Sequence, residues 1–265
     1  MGAGTATITP GAPIPAAANG DGTASVVIAR TATSSAPATG GGTTSAAVTV
    51  GYRWADSFDR ADDVSLGTDW RIDRNGAPRI ATNRAQMKTM NRGDGRAGCW
   101  ASYQGGGAAA GRFGSDNYAV KAQLIAPVGN SATDNFTAIV LAVADAFGAG
   151  VMCYLVVSTG SGCGIVTQSG LPPSSGVTTD QTGQTVQAST VTNIAAGDLI
   201  EFRRVGKVFT AYRNGAALLT WTDINNIVGS GPTNRRWGFA VEGNYPLFMS
   251  EYRSPAVDSI QAYDL

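Results

Sequence analysis

Residues 198–223, DLIEFRRVGKVFTAYRNGAALLTWTD, commit this chain to antiparallel sheet. Two turn signals, Val205-Gly206-Lys207 and Asn214-Gly215, cut the segment into three pieces of strand length. An Asn-Gly pair suits the left-handed backbone of a tight hairpin turn. In the middle piece Val208, Thr210 and Tyr212 alternate with Phe209, Ala211 and Arg213, which gives a strand with two different faces. Similar pieces recur. Residues 70–73 and 79–90 flank Asn75-Gly76, and 118–126, 136–144, 151–158 and 164–169 follow between Gly, Asp, Ser and Pro. WGFAVEG and VDSIQAYDL supply two more strands near the end, and 170–187 reads as a long loop or a weak edge hairpin. With no long helical period, many short strands at this spacing predict a β-sandwich or barrel.

The first 51 residues differ from the rest. They hold almost no charge and much Gly, Ala, Thr and Ser, with a faint repeat in GTATIT, GTASVVIA and GTTSAAVTV. Ala and Thr bury little apolar area, so such strands form no core of their own. The expected organisation is therefore a low-complexity arm over 1–51, ordered by pairing with neighbouring chains, and a folded domain over 52–265.

Charge narrows the partners. Nineteen basic residues balance nineteen acidic ones, so no field of one sign draws the chain to nucleic acid or to an anionic membrane. The run AIVLAVADAFGAGVMCYLVV, 138–157, approaches the length of a membrane span. Asp145, Gly148 and Gly150 interrupt it, and two buried strands joined by a turn explain it better than a spanning helix. The start shows no positive region followed by an apolar one, so no signal peptide is expected. Three cysteines without a CxxC suggest assembly in a reducing compartment.

Catalytic chemistry finds little support. With no histidine, the usual general base, the Ser-His-Asp arrangement and most zinc sites are excluded. A glycanase needs carboxylates aimed into one groove, but Glu201, Glu242 and Glu251 are isolated in sequence. Asp59, Asp62 and Asp63 could hold a structural calcium, although turn capping with Arg60 nearby is the favoured reading. GGGAAAG, 105–111, lacks the helix of a dinucleotide loop and reads as a connection. Arg92-Gly93-Asp94 and the glycosylation-type Asn135-Phe136-Thr137 are short enough to arise by chance. Exposed aromatics can stack on sugars, and Trp100, Tyr103, Trp237, Tyr245 and Tyr252 form the pool. Tyr245 stands out because EGNYPLFMSEYRSP reads as a loop, flanked by Trp237 and Arg253, and these three are the ligand-binding candidates.

SFDRADDVSLGTDWRI followed by IATNRAQM resembles a domain that recurs in minor tail proteins of actinobacterial phages. The shared pattern falls on Phe58 and Arg60, on Leu66, Gly67 and Trp70, and on Ile80, Asn83 and Ala85. It continues at Tyr212, Asn214 and Gly215 and closes at Ser254, Pro255, Asp258, Ala262 and Asp264. The resemblance spans about 52–265 and is structural in character. It implies an all-β fold, an antiparallel jelly-roll β-sandwich of the concanavalin A-like kind, preceded by an extended β-rich N-terminal arm. In this frame Phe58 and Trp70 bury large rings, Leu66 plugs a corner over 62–67, and Gly67 supplies a backbone angle that other residues resist. First and last strands usually adjoin in such jelly rolls, so residues 56–58 are expected to pair with 259–263.

The functional expectation from that resemblance is a non-enzymatic virion protein of a tailed phage, a minor tail protein assembled in the host cytoplasm. The arm would join it to other virion proteins, and the jelly roll would meet host cell-wall glycans without a cofactor. A homo-oligomer follows from strands that need partners, and the resemblance suggests a trimer. A capsid decoration or head-fibre protein is the nearest alternative. A secreted carbohydrate-binding module and a glycoside hydrolase are weaker ones.

Overall fold

The computed structural model describes residues 53–105, 111–172, 174–177 and 182–265. The arm expected over 1–51, with its pairing to other chains, lies outside the described residues, as does most of GGGAAAG. β1 (Arg53–Asp56), β2 (Trp70–Arg74), β3 (Arg79–Ile80), β4 (Ala85–Gln86), β5 (Gly95–Tyr103) and β6 (Asn117–Ile125) come first. β7 (Asn130–Ser131), β8 (Thr137–Val143), β9 (Val151–Val157), β10 (Cys163–Ser169) and β11 (Gln184–Thr190) follow. β12 (Leu199–Val205), β13 (Val208–Arg213), β14 (Ala216–Thr222), β15 (Arg236–Tyr245), β16 (Tyr252–Arg253) and β17 (Ala256–Asp264) complete the described chain.

These strands build two sheets. One runs β14-β13-β12-β6-β17-β4-β3, with β1 also on β17. The other runs β11-β10-β9-β8-β15, and β15 also carries β5 with β2 beyond it, β16 and, through β16, β7. Pairings among the described strands are antiparallel apart from β7 with β16. The chain passes from one sheet to the other after β1, β2, β4, β5, β6, β11, β14 and β16, which is the connectivity of a jelly-roll β-sandwich.

The core follows from alternation. Phe209 and Ala211 of β13 are fully buried while Val208 is exposed, so the face predicted from residues 198–223 is the inner one. Phe202 and Phe209 of the first sheet belong to one buried core with Ile139, Leu155 and Phe239 of the second. Each such side chain stabilises the sandwich by about 1.5–3 kcal/mol. The second sheet is also apolar outside, where Trp100, Val140, Tyr154 and Val177 form a second buried cluster. Being buried on both faces makes β8 and β9 continuous apolar runs, which accounts for the span-like stretch 138–157. Among the described residues no helix is long and apolar enough to cross a membrane.

The first corner is organised by Asp56. Its carboxylate accepts from Arg60 Nη1 and Nη2 (2.7 and 3.1 Å), from Trp70 Nε1 (2.8 Å) and from the Phe58 amide (2.8 Å). Arg60 also donates to the Leu66 carbonyl at 2.7 Å. Phe58, Leu66 and Trp70 are buried, and Phe58 packs on Trp70 and Phe239 at 5.9 and 5.8 Å between ring centroids. Gly67 turns the chain with φ +85°, a region other residues resist. The expected pairing of first and last strands is present, with Asp56 opposite Ile260 and Arg53 opposite Tyr263. The strand is displaced towards the N-terminus from the expected 56–58, because Phe58 takes φ +52° and leaves the ladder.

Three local expectations need correction. Residues 79–90 are not one strand but a small hairpin, β3 and β4, turned at Thr82 and Asn83 with φ +50° and +57°. The Thr82 amide is held by Asp62 at 2.7 Å, which secures a backbone angle that a β-branched residue resists. The stretch 95–103 forms a nine-residue strand between β2 and β15, although it carries no alternating pattern. Tyr245 ends β15 rather than lying in the loop after it.

Candidate functional site

One end of the second sheet carries an open depression of about 640 Å³, lined by Arg92, Asn130, Tyr245 and the run from Phe248 to Tyr252. Three elements position it. β15 delivers Tyr245, and the loop 246–251 returns to β16, where Tyr252 lies beside Asn130 of β7 in the parallel pair. The turn before β5 brings Arg92, tied down where the Gly93 amide donates to the Tyr245 carbonyl at 2.9 Å. Asn130 Nδ2 donates to the Glu251 carbonyl at 3.3 Å. Phe248 projects from the loop at 91% exposure, with Leu247 and Met249 each 54% exposed beside it.

Charge in the depression is unevenly satisfied. Glu251 Oε1 accepts from the Met90 amide at 3.1 Å and from Arg253 at 2.8 Å. Among the described residues, by contrast, Arg92 has no hydrogen-bond or ion-pair partner, and neither do the hydroxyls of Tyr245 and Tyr252. The site therefore offers three aromatic side chains, the free hydroxyls of Tyr245 and Tyr252, one free guanidinium and one amide. These groups can grip a polar ring with an apolar face. They hold no nucleophile paired with a base.

Of the three ligand-binding candidates only Tyr245 lines the depression. Trp237 is a correction: it is fully buried in the core, stacked on Tyr103 with centroids 4.9 Å apart, and has no face to offer a ligand. Arg253 is also corrected. It is 7% exposed, donates to the Val128 carbonyl at 2.7 Å and holds Glu251, so it supports the wall from behind. Trp100 and Tyr103 of the aromatic pool are buried as well, and Tyr252 joins Tyr245 at the site. The structural landmarks lie elsewhere. Phe58, Arg60, Leu66, Gly67 and Trp70 make the first corner, and Asn83 makes the β3–β4 turn. Asn214 and Gly215 turn β13 into β14 with φ +50° and +83°, and Asn214 Oδ1 accepts from the Leu199 amide at 2.8 Å. Asp258 sits at a bulge of β17 against β6.

Sequence reasoning missed Arg92, Asn130 and Phe248. Arg92 was visible only inside an adhesion-type tripeptide. Phe248 had one signal, three consecutive apolar residues in a loop bounded by Pro246 and Ser250. Asn135 of the glycosylation-type motif is fully buried.

The glutamates do not converge. Glu201 lies on β12 of the first sheet, Glu242 on β15 of the second, and Glu251 in the loop before β16. Burial pushes the Glu242 carboxyl up to about 7, opposed by Arg96 and by the amides of Phe136 and Val177 that donate to it. Burial acts to raise Glu201 too, but bonds from Arg203 and Tyr263 hold it below the usual range. Asp62 and Asp63 accept from the Thr82 and Ser65 amides, which is turn capping. Among the described residues no group of three or more His, Cys, Asp or Glu side chains comes together as for a metal ion.

No known sequence family matches the chain, and no curated protein does. Solved structures do. A carbohydrate binding module, CBM66 from Bacillus subtilis, is 13% identical over 76% of this chain and 94% of its own, with a TM-score of 0.39. SCLam, a non-specific endo-β-1,3(4)-glucanase from family GH16, is 11% identical over 80% and 89%, with a TM-score of 0.47. A protein of unknown function with a galectin-like fold from Bacillus subtilis is 12% identical over 74% and 91%, with a TM-score of 0.45. Each likeness is one of overall architecture and transfers no residue and no activity.

Proposed function

We propose that this chain is a non-catalytic jelly-roll protein of a tailed-phage particle, sited in the tail, that holds host cell-surface glycans in the depression beside Tyr245. The observation that carries the glycan reading is the grouping of Tyr245 and Tyr252 with unengaged polar groups in a solvent-open hollow. Pyranose rings present apolar C–H faces to aromatic rings and hydroxyls to amides and guanidinium groups. The separation of the three glutamates supports binding without hydrolysis. The tail assignment is supported by the motifs shared with minor tail proteins, which coincide with the Phe58–Trp70 corner. In this reading the leader joins the protein to its particle, and copies associate through it.

A glycan array together with a reducing-end release assay tests the proposal. Retained oligosaccharides with no new reducing ends are expected. Release of reducing ends would contradict the non-catalytic reading, and an array without any bound glycan would contradict the binding role. Antibody against the folded domain should label tails in electron micrographs, and label confined to heads would contradict the siting.

A further inference from the structure

We infer that the depression beside Tyr245 selects acidic saccharides, with Arg92 as the seat of a carboxylate or phosphate carried on the sugar. This rests on the glycan reading above and names the ligand class for that site.

The charges lining the depression are not equivalent. Glu251 is the one carboxylate among the lining residues, and Arg253 Nη2 at 2.8 Å and the Met90 amide at 3.1 Å already engage it. An incoming anion therefore meets a carboxylate whose charge is compensated from behind. Asp94, two residues from Arg92, accepts from the Asn91 amide at 2.7 Å within its own turn and is not part of the lining. Arg92 is exposed and has no partner among the described residues. Its backbone is fixed, because the Gly93 amide donates to the Tyr245 carbonyl and the Asp94 amide to the Asn91 carbonyl.

A guanidinium in that position is a fork of donors suited to two oxygens of one carboxylate or phosphate. A neutral sugar hydroxyl can accept from it too, but a charge-assisted bond is roughly twice as strong. The tyrosines flank the same hollow, so one ligand can place its ring on an aromatic face and its anion on Arg92. Asn130, with Nδ2 on the Glu251 carbonyl, keeps its own Oδ1 for a ring hydroxyl. Phe248 and Met249 form an apolar lip beside this polar floor.

The test applies the full chain to an array of matched trios: a neutral oligosaccharide, its uronic-acid counterpart and its phosphomonoester. At least one acidic member should bind about tenfold or more tightly than the neutral one, as one charge-assisted contact implies. The preference should shrink in high salt. Arg92→Gln should abolish it, and Arg92→Lys should keep part of it. Arg92 is exposed, so the melting temperature of either variant should match wild type. The uronic-acid and phosphate arms decide which anion is read, and a preference for either one supports the inference. Equal binding of neutral and acidic members, or a preference that survives Arg92→Gln, would overturn it and leave the glycan reading standing. An array with no member retained would overturn both.

Discussion

The first corner and the depression beside Tyr245 are assembled from the same kinds of side chain, aromatic rings with arginine and a carboxylate close by. Their pairing differs. At the corner Arg60 lies on the Asp56 carboxylate, and Trp70 Nε1 and the Phe58 amide complete that oxygen pair. Every ring there is buried. At the depression the carboxylate of Glu251 takes Arg253 from behind, and Arg92 faces solvent beside two half-buried tyrosines. Residue type alone does not separate architecture from recognition. The separation comes from whether the polar groups already have partners.

The comparison breaks most severely at the corner. Phe58→Ala or Trp70→Ala should destabilise the protein by about 3–5 kcal/mol in denaturant titrations, as for buried aromatics generally. Wild-type stability in either variant would mean that the corner is not a keystone. A buried carboxyl gives the next largest effect. The Glu242 carboxyl is raised to about 7, so the folded state binds its proton more tightly than the unfolded state does. Its contribution is present below the ordinary glutamate range and is lost as pH rises through 7, a swing on the order of 3 kcal/mol. Asp116, Asp145, Asp198 and Glu201 act with the opposite sign, since burial is outweighed by bonds from arginines and amides. Their contribution is present above the ordinary carboxylate range and is lost as pH falls through their lowered values. Chemical denaturation between pH 3 and 8 should therefore show a stability maximum in the mildly acidic range; a monotonic rise to pH 8 would contradict the raised Glu242.

Asp56→Ala should cost about 2–3 kcal/mol, because Trp70 Nε1 and the Phe58 amide lose their acceptor. Phe248→Ser should change stability by no more than about 0.5 kcal/mol, as expected for an exposed side chain. Tyr252→Ala should weaken glycan binding by up to about tenfold, the range of a single aromatic contact. If Phe248→Ser melted far below wild type, the tip would belong to the architecture after all.

The legible parts of this fold are those with one buried face. Strand β13 betrays its inner side through Phe209 and Ala211, and Asn214-Gly215 fixes the following turn. Strand β5 was not legible because both of its faces are covered, which erases the alternation. Gly98 within it lies under Gly176, where an added Cβ would come within 3.0 Å of that backbone, so a glycine that reads as a loop signal is a packing requirement. The break between β3 and β4 depends on Asp62, twenty residues away from the amide it holds. At the site, Tyr245 could be found as an aromatic near a loop, and Trp237 could not be told from it. Burial separates them, and burial belongs to the fold. Arg92 was hidden for a related reason, since its significance lies in having no ion-pair partner among the described residues.

The most direct measurement is amide chemical-shift mapping on the full chain during titration with an acidic oligosaccharide retained by the array. Shifts concentrated at Arg92, Asn130, Tyr245 and 248–252, with the Asp56 corner unmoved, are the predicted result. Shifts centred on the corner or on the outer face around Trp100 and Glu242, with the depression silent, would contradict it.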